Sequence, residues 1–285
     1  MSAGLRAPTE ADLPEVVRLM SEGWPDPIDP DSVRRVWTSP GVRLELDARF
    51  EGHAYALVED LGNGCVWLDV RGRPSAELLD WAEARGREKS PRVLCGGWST
   101  NGELLAELER RGFKLIRHSQ RMEVDLQNAP ADVVLPKGIE MRTYRPGDGR
   151  AFYDTYMESF ADSWEPSQET FEEWSHYLLD APHFDPGLWL LAHEAGAPAG
   201  FAICHRHPGR PKLGWVRILG VRRPWRRKGL GTALLLRAFA ELRARGMTVA
   251  GLSVDAESLT GANRLYEDAG MRVAARFDIY EKPAA

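Results

Sequence analysis

The period of the apolar positions changes several times along the last third of the chain. Trp215-Val216-Arg217-Ile218-Leu219-Gly220-Val221 is dense in β-branched and aromatic residues and predicts a strand. Leu235, Ala238, Phe239 and Leu242 then recur at i, i+3, i+4, i+7, the spacing of a helix with one buried face. A second apolar run, Val249–Val254, predicts another strand, and a short helix closes with Arg264-Leu265-Tyr266-Glu267-Asp268-Ala269-Gly270-Met271. Upstream, Phe152–Phe160 shows a helical apolar face. A further helix is predicted over Ser167–Asp180, capped by Ser167 and carrying Phe171, Trp174, Tyr177 and Leu178.

Between strand and helix stands Arg226-Arg227-Lys228-Gly229-Leu230-Gly231-Thr232. Glycines at Gly229 and Gly231 let a ligand approach the backbone, and the first amides of the following helix have no intrahelical acceptor. The positive end of the helix dipole adds about 0.3–1 kcal/mol per bound negative charge, and the neighbouring cations add to it. A diphosphate suits such a cradle. The G-x-x-x-x-G-K-[ST] loop of nucleoside triphosphatases and the G-x-G-x-x-G dinucleotide pattern are both absent from this stretch.

What remains, R-x-x-G-x-G after a strand ending Leu219-Gly220-Val221, resembles the acyl-CoA signature of the GNAT acetyltransferase superfamily, and Leu265-Tyr266-Glu267-x-x-Gly270-Met271 is similar to its Leu-Tyr-Glu-x-x-Gly-Phe segment, with Met271 in place of Phe. The resemblance implies acetyl-CoA as the acetyl donor, without a metal. Its contacts would come from Leu219, Gly220, Val221, Arg226, Arg227, Lys228, Gly229, Leu230, Gly231 and Thr232, with Ser258 as a weaker one where the family often has asparagine. It assigns the amide of Val221 to the thioester oxyanion and the phenol of Tyr266 to protonation of the departing thiolate. An amphipathic tyrosine with its hydroxyl in water is the alternative for Tyr266. Many family members carry a glutamate on the strand before the phosphate loop, but Trp215–Leu219 contains no acid. Asp162, Glu165, Asp255 and His176 are then the candidates for a general base, beside a water chain to bulk.

The chain is long enough for two domains, and the same order of elements appears twice. Leu5–Thr9 and Ile139–Thr143 each predict a first strand, followed by acidic helix starts at Asp12 and Asp148. Helices closing on glycine end each half, at Leu108–Phe113 and Tyr266–Met271. Prolines and small polar residues between them predict a linker at 127–138, giving domains 1–126 and 139–285. The implied fold class is α/β (α+β): two tandem GNAT-like domains, each a mixed, mostly antiparallel sheet flanked by helices, an architecture that resembles the mycothiol synthases. In the first half the strand Cys65–Val70 runs into Arg71-Gly72-Arg73-Pro74-Ser75-Ala76-Glu77. If Arg71 matches Arg226, Pro74 stands for Gly229 and removes a donor, while Leu108 stands for Tyr266. Only the second half is then expected to bind acetyl-CoA.

A net charge of −5 argues against a nucleic-acid partner, since one local basic cluster is not a basic face. Cys65, Cys95 and Cys204 form no metal or disulfide spacing and suit a reducing cytoplasm. No apolar run is long enough for a membrane span. The expected protein is a cytoplasmic N-acetyltransferase acting on the primary amine of a small molecule, with no membrane partner and an oligomeric state that the residues do not fix. A CoA-binding sensor or scaffold without catalysis, and an acetyltransferase of protein N-termini or lysines, are the alternatives.

Overall fold

A computed structural model describes residues 4–23, 25–61, 64–130, 132–163, 166–257 and 261–282. The first part of the chain forms helices α1 (Leu13–Ser21), α2 (Pro30–Trp37) and α3 (Leu44–Asp47), strands β1 (Ala48–Phe50), β2 (Ala54–Asp60) and β3 (Cys65–Gly72), then α4 (Ala76–Lys89), β4 (Arg92–Trp98), α5 (Gly102–Arg110) and β5 (Lys114–Asp125). The second part continues with β6 (Ile139–Thr143), α6 (Gly149–Phe160), α7 (Phe171–Leu178), β7 (Trp189–Glu194), β8 (Ala197–Arg206), β9 (Leu213–Val221), α8 (Leu230–Ala244), β10 (Val249–Asp255), α9 (Ala262–Asp268) and β11 (Arg272–Lys282). Among the described residues no helix is long and apolar enough to cross a membrane.

Contacts divide the chain into two compact units, Met1–Ser119 with Ala275–Ala285, and Gln120–Ala274. The linear division into 1–126, 127–138 and 139–285 places the closing segment differently. Residues from Phe277 to Lys282 pair antiparallel with Trp98 to Val93 of β4 and so belong with the first unit. The predicted linker is also less free than its composition suggests. Leu126 and Ala129 are buried in the second unit's core, where the Leu126 carbonyl accepts Nε of Arg243 at 2.8 Å.

In the first unit β1, β2 and β3 are antiparallel neighbours, and β3 runs parallel to β4 from Cys65↔Arg92 to Leu68↔Cys95. Strand alternation sends Ala54, Ala56 and Val58 to the core under α4 and α5, and Tyr55 and Leu57 to the core under α1 and α2. The predicted first strand at Leu5–Thr9 is reduced to one isolated bridge, Arg6↔Phe50. Pro8 lacks the N–H that a continued ladder would need. Asp12 stands at the start of α1, as expected, but its carboxylate accepts the Thr9 amide rather than capping that helix.

The second unit repeats the plan. Strands β6 to β9 are antiparallel, β9 and β10 are parallel, and α8 covers one face through Leu234, Leu235, Ala238, Phe239 and Leu242. An aromatic cluster of Phe152, Trp174, Trp189 and Phe201 fills the other face beneath α6 and α7. Helix α7 starts later than predicted because Thr170, not Ser167, accepts the amide of Glu173, and Glu173 answers with a carboxylate bond to the Thr170 amide. Each unit is thus a mixed, mostly antiparallel sheet flanked by helices.

Two features of β9 shape the site. Pairing with β8 passes from Ile203↔Ile218 to Cys204↔Val216, leaving Arg217 unopposed as a β-bulge. The bulge reverses the facing of every later residue. Before it, Gly214 and Val216 face α8; after it, Ile218 and Gly220 face α6, and Leu219 and Val221 face α8. Pairing with β10 covers Leu213–Trp215 against Val249–Gly251, whereas the strands continue to Val221 and Asp255. They therefore diverge beyond Trp215.

One buried polar side chain makes the second unit sensitive to acid. His205 is 8% exposed, its ring 4.5 Å from that of His183. Burial first, then nearby Arg217, His183 and His207, push its pKa well below the ordinary value. As pH falls through about 6.5 the unfolded chain takes up a proton that the folded one refuses, so this residue's contribution is complete above that pH and declines below it. Urea unfolding followed by tryptophan fluorescence should show stability falling between pH 7 and 5 more steeply in the wild type than in His205→Asn, by up to about 1.4 kcal/mol per pH unit. Equal slopes would remove His205 from this role.

Candidate active site

The turn from β9 into α8 is built on two left-handed residues, Arg227 at φ 61° and Gly229 at φ 83°. Glycine takes that conformation freely, but at Arg227 it costs about 1–2 kcal/mol. Gly229 is the N-cap of α8 with no side-chain cap, and a Cβ placed on it would meet nothing within 4 Å. The first amides of α8, at Leu230, Gly231 and Thr232, thus have no side-chain cap. Gly231 answers to a different constraint from the ligand approach expected of it: a Cβ there would stand 2.8 Å from Cδ1 of Leu265, so its bareness admits α9 against α8.

The basic run divides into two groups. Arg222 Nε donates to Glu158 Oε2 at 2.7 Å, and Arg223 Nε donates to Asp162 Oδ2 at 2.7 Å. Arg226 makes three bonds, from Nε to the Val221 carbonyl (3.0 Å), from Nη2 to the Ser159 carbonyl (2.9 Å) and from Nη1 to Asp162 (3.2 Å). These three guanidinium groups are spent on the end of α6, so the Arg226 side chain is not presented to a phosphate. Arg227 and Lys228 form no ion pair among the described residues, and Nη1 of Arg227 reaches within 3.3 Å of where a Cβ on Gly261 would stand. Both cations directly precede the uncapped start of α8 in the chain.

At the end of β9, the amide of Arg222 donates to the carbonyl of Ala199 at 3.0 Å, and the neighbouring pair is Gly200↔Val221. Antiparallel alternation then turns the amide of Val221 away from β8, toward the side on which β10 has diverged. Gly220 is required for packing, since a Cβ would lie 2.6 Å from Phe201 and 3.0 Å from Cβ of Ser159.

Tyr266 sits on α9, whose N-cap Gly261 is left-handed at φ 75°. The tyrosine is 7% exposed, which rules out a side chain lying in water, and burial pushes its phenol up to about 12. It stays protonated at neutral pH. Asn263, one helical turn earlier, donates from Nδ2 to the carbonyls of Asp255 (3.1 Å) and Ala256 (2.9 Å), while its Oδ1 is buried without a partner. The sequence offered only a weak signal for it, an amide side chain in the first turn of a helix, where such residues bond to nearby backbone. Ser258 lies outside the described residues.

The base candidates fare unequally. Hydrogen bonds from Arg223 and then Arg226 hold the Asp162 carboxyl below the usual range, which makes it a poor proton acceptor. Glu165 lies outside the described residues. Asp255, at the end of β10, accepts the amide of Glu257 at 2.9 Å. His176 is half-buried on α7, its ring 5.6 Å from that of Tyr177. At Trp215 the indole lies under the guanidinium of Arg121 at 4.8 Å and over Gly251, where a Cβ would come within 2.7 Å.

The corresponding place in the first unit is filled by the chain itself. Glu51, 8% exposed, accepts the amide of Ser75 at 2.8 Å and its hydroxyl at 2.6 Å, and Ser75 in turn caps α4 through Leu78. An internal carboxylate thus neutralises the helix start after β3. Leu108, where the second half has Tyr266, is buried in the core under α4 and α5.

Comparison with known proteins agrees with this geometry. Residues 150–271 match the acetyltransferase (GNAT) family model. The mycothiol acetyltransferase of Salinispora tropica is 40% identical over an alignment covering 93% of this chain and 91% of that protein. Among solved structures, a GCN5-related N-acetyltransferase from Sphaerobacter thermophilus is 31% identical, with a TM-score of 0.77 over 98% of this chain and 95% of that one. A tandem GNAT protein from the clavulanic acid biosynthesis pathway has the same fold at 14% identity, with a TM-score of 0.72 over 99% of both chains.

Glu51→Ala should destabilise the first unit by about 1–3 kcal/mol, because the Ser75 amide loses its acceptor. Denaturant unfolding measures the loss. Wild-type stability in the variant would show that the carboxylate does not hold this turn.

Proposed function

The chain belongs to the GNAT acetyltransferase family, and from that premise we propose that its second unit transfers the acetyl group of acetyl-CoA to the primary amine of a small molecule by direct attack. The observation that carries this is the divergence of β9 from β10 beyond Trp215, beside which the uncapped start of α8 and Tyr266-bearing α9 meet through Gly231 and Leu265. The amides of Leu230, Gly231 and Thr232 hold the diphosphate, helped by Arg227 and Lys228. Val221 donates its amide to the thioester oxygen as negative charge develops there, the ammonium formed by attack loses a proton through a water chain to bulk, and Tyr266 donates a proton to the thiolate as the C–S bond breaks. A phenol raised to about 12 is a weaker acid than a free one, but it is fully protonated and faces a leaving group that needs a single proton.

The small-molecule acceptor is supported by the relative aligned over nearly the whole chain, which is named for mycothiol. The first unit, with Glu51 at its helix start and Leu108 in place of a tyrosine, takes no acetyl-CoA in this proposal. Its part is structural.

With a panel of amines, Tyr266→Phe should lower kcat by about a hundredfold while calorimetry finds acetyl-CoA affinity unchanged. A variant as fast as the wild type would reject the acid, and a wild-type protein that binds acetyl-CoA but transfers it to no amine would favour the sensor. Gly229→Pro cannot keep φ at 83°, so it should weaken acetyl-CoA binding by more than about tenfold without loss of the circular dichroism of the fold. Undiminished affinity would show that the diphosphate lies elsewhere.

A further inference from the structure

We propose that Asp162, acting through Arg226, is a positioning residue that fixes the exit of β9 for acetyl transfer. The proposal rests on the function above and assigns a part to a carboxylate that the base search would otherwise discard. Helix α6 ends at Phe160, and its last carbonyls have no partner within the helix. The fork of Arg226 joins one of them, at Ser159, to the carbonyl of Val221, and Asp162 anchors its third arm. A planar guanidinium presents its donors in a rigid fork that spans acceptors from two elements, a reach and geometry that a compact ammonium does not reproduce. Arg223 binds the same carboxylate, and Arg222 binds Glu158 one turn back. Three of the five basic residues between 222 and 228 therefore bind the end of α6.

The clamp acts on the residue that matters for chemistry. Val221 carries the amide assigned to the thioester oxygen, and its own carbonyl is held by Arg226. Gly220, immediately before it, rests against Ser159 and Phe160 of the same α6 turn. Holding the carbonyl on one side and the packing contact on the other leaves the Val221 amide little freedom to turn. The Asp162 side chain is 36% exposed and its partner Arg223 65%, so the ion pairs themselves add little to global stability. Their effect should appear in local motion and in rate.

Hydrogen exchange by mass spectrometry, with steady-state kinetics, tests this on Asp162→Asn in the full chain. Exchange over residues 218–226 should quicken by about tenfold and kcat fall by about tenfold, with the melting temperature and acetyl-CoA affinity near wild type. Arg226→Lys should lose at least as much, and adding Asp162→Asn to it should cost little more, since the Asp162–Arg226 contact is already gone. Exchange unchanged in Asp162→Asn overturns the clamp, and faster exchange with wild-type kcat overturns its service to the reaction. Loss of the acidic limb of the pH–rate profile would instead make Asp162 the base. Should the wild type fail to bind acetyl-CoA, the function proposed above falls, while the exchange comparison still decides whether the clamp exists.

Discussion

One unopposed residue in β9 sets up everything at the site. Without the bulge at Arg217, residues 214, 216, 218 and 220 would share a face, and Gly220 would turn toward α8. With it, Gly220 meets the end of α6 closely, and Leu219 and Val221 turn to the side where α8 and α9 lie. The bulge comes two residues after the last pairing between β9 and β10, so the strand changes facing as it leaves its parallel neighbour. Bulges bend and twist the strand that carries them, which is consistent with this divergence.

The two units show how the same backbone plan can be opened or closed by local chemistry. In each, a parallel strand pair is joined by a helix whose first amides need acceptors. The second unit has glycine as N-cap and no side-chain cap, with Arg227 and Lys228 just before it in the chain. The first unit supplies serine as N-cap and a buried glutamate behind it. One arrangement satisfies the helix from within; the other has room for a guest.

Much of this was legible in the residues because it rests on local rules. Strands and helices around Gly229 follow from period changes, whereas the left-handed conformation of Arg227 leaves no trace in the sequence. The duplicated order of elements, the acidic helix starts at Asp12 and Asp148, and the replacement at Leu108 needed no tertiary information. What escaped depended on contacts between segments distant in sequence. Glu51 lies 24 residues from Ser75, and Asp162 lies 64 residues from Arg226, so neither pairing leaves a spacing to read. Arg226 illustrates the limit well: its position in the motif suggested a phosphate ligand, while its side chain is directed at carbonyls and a carboxylate of α6. The cap of α7 was misplaced for a simpler reason, since Ser167 and Thr170 offer equally good hydroxyls and only the capping box at Glu173 separates them.

The pairing of Phe277–Lys282 with β4 has a consequence for how the chain is made. A ribosome releases β4 long before it has synthesised the strand that completes it, so through most of elongation one flank of that early sheet stands unpaired. The later unit, which spans Gln120 to Ala274, is synthesised in full before the strand that completes the earlier one. Here the order of birth and the order of completion run in opposite directions, and loss of Phe277–Lys282 would injure the part of the protein that was synthesised first.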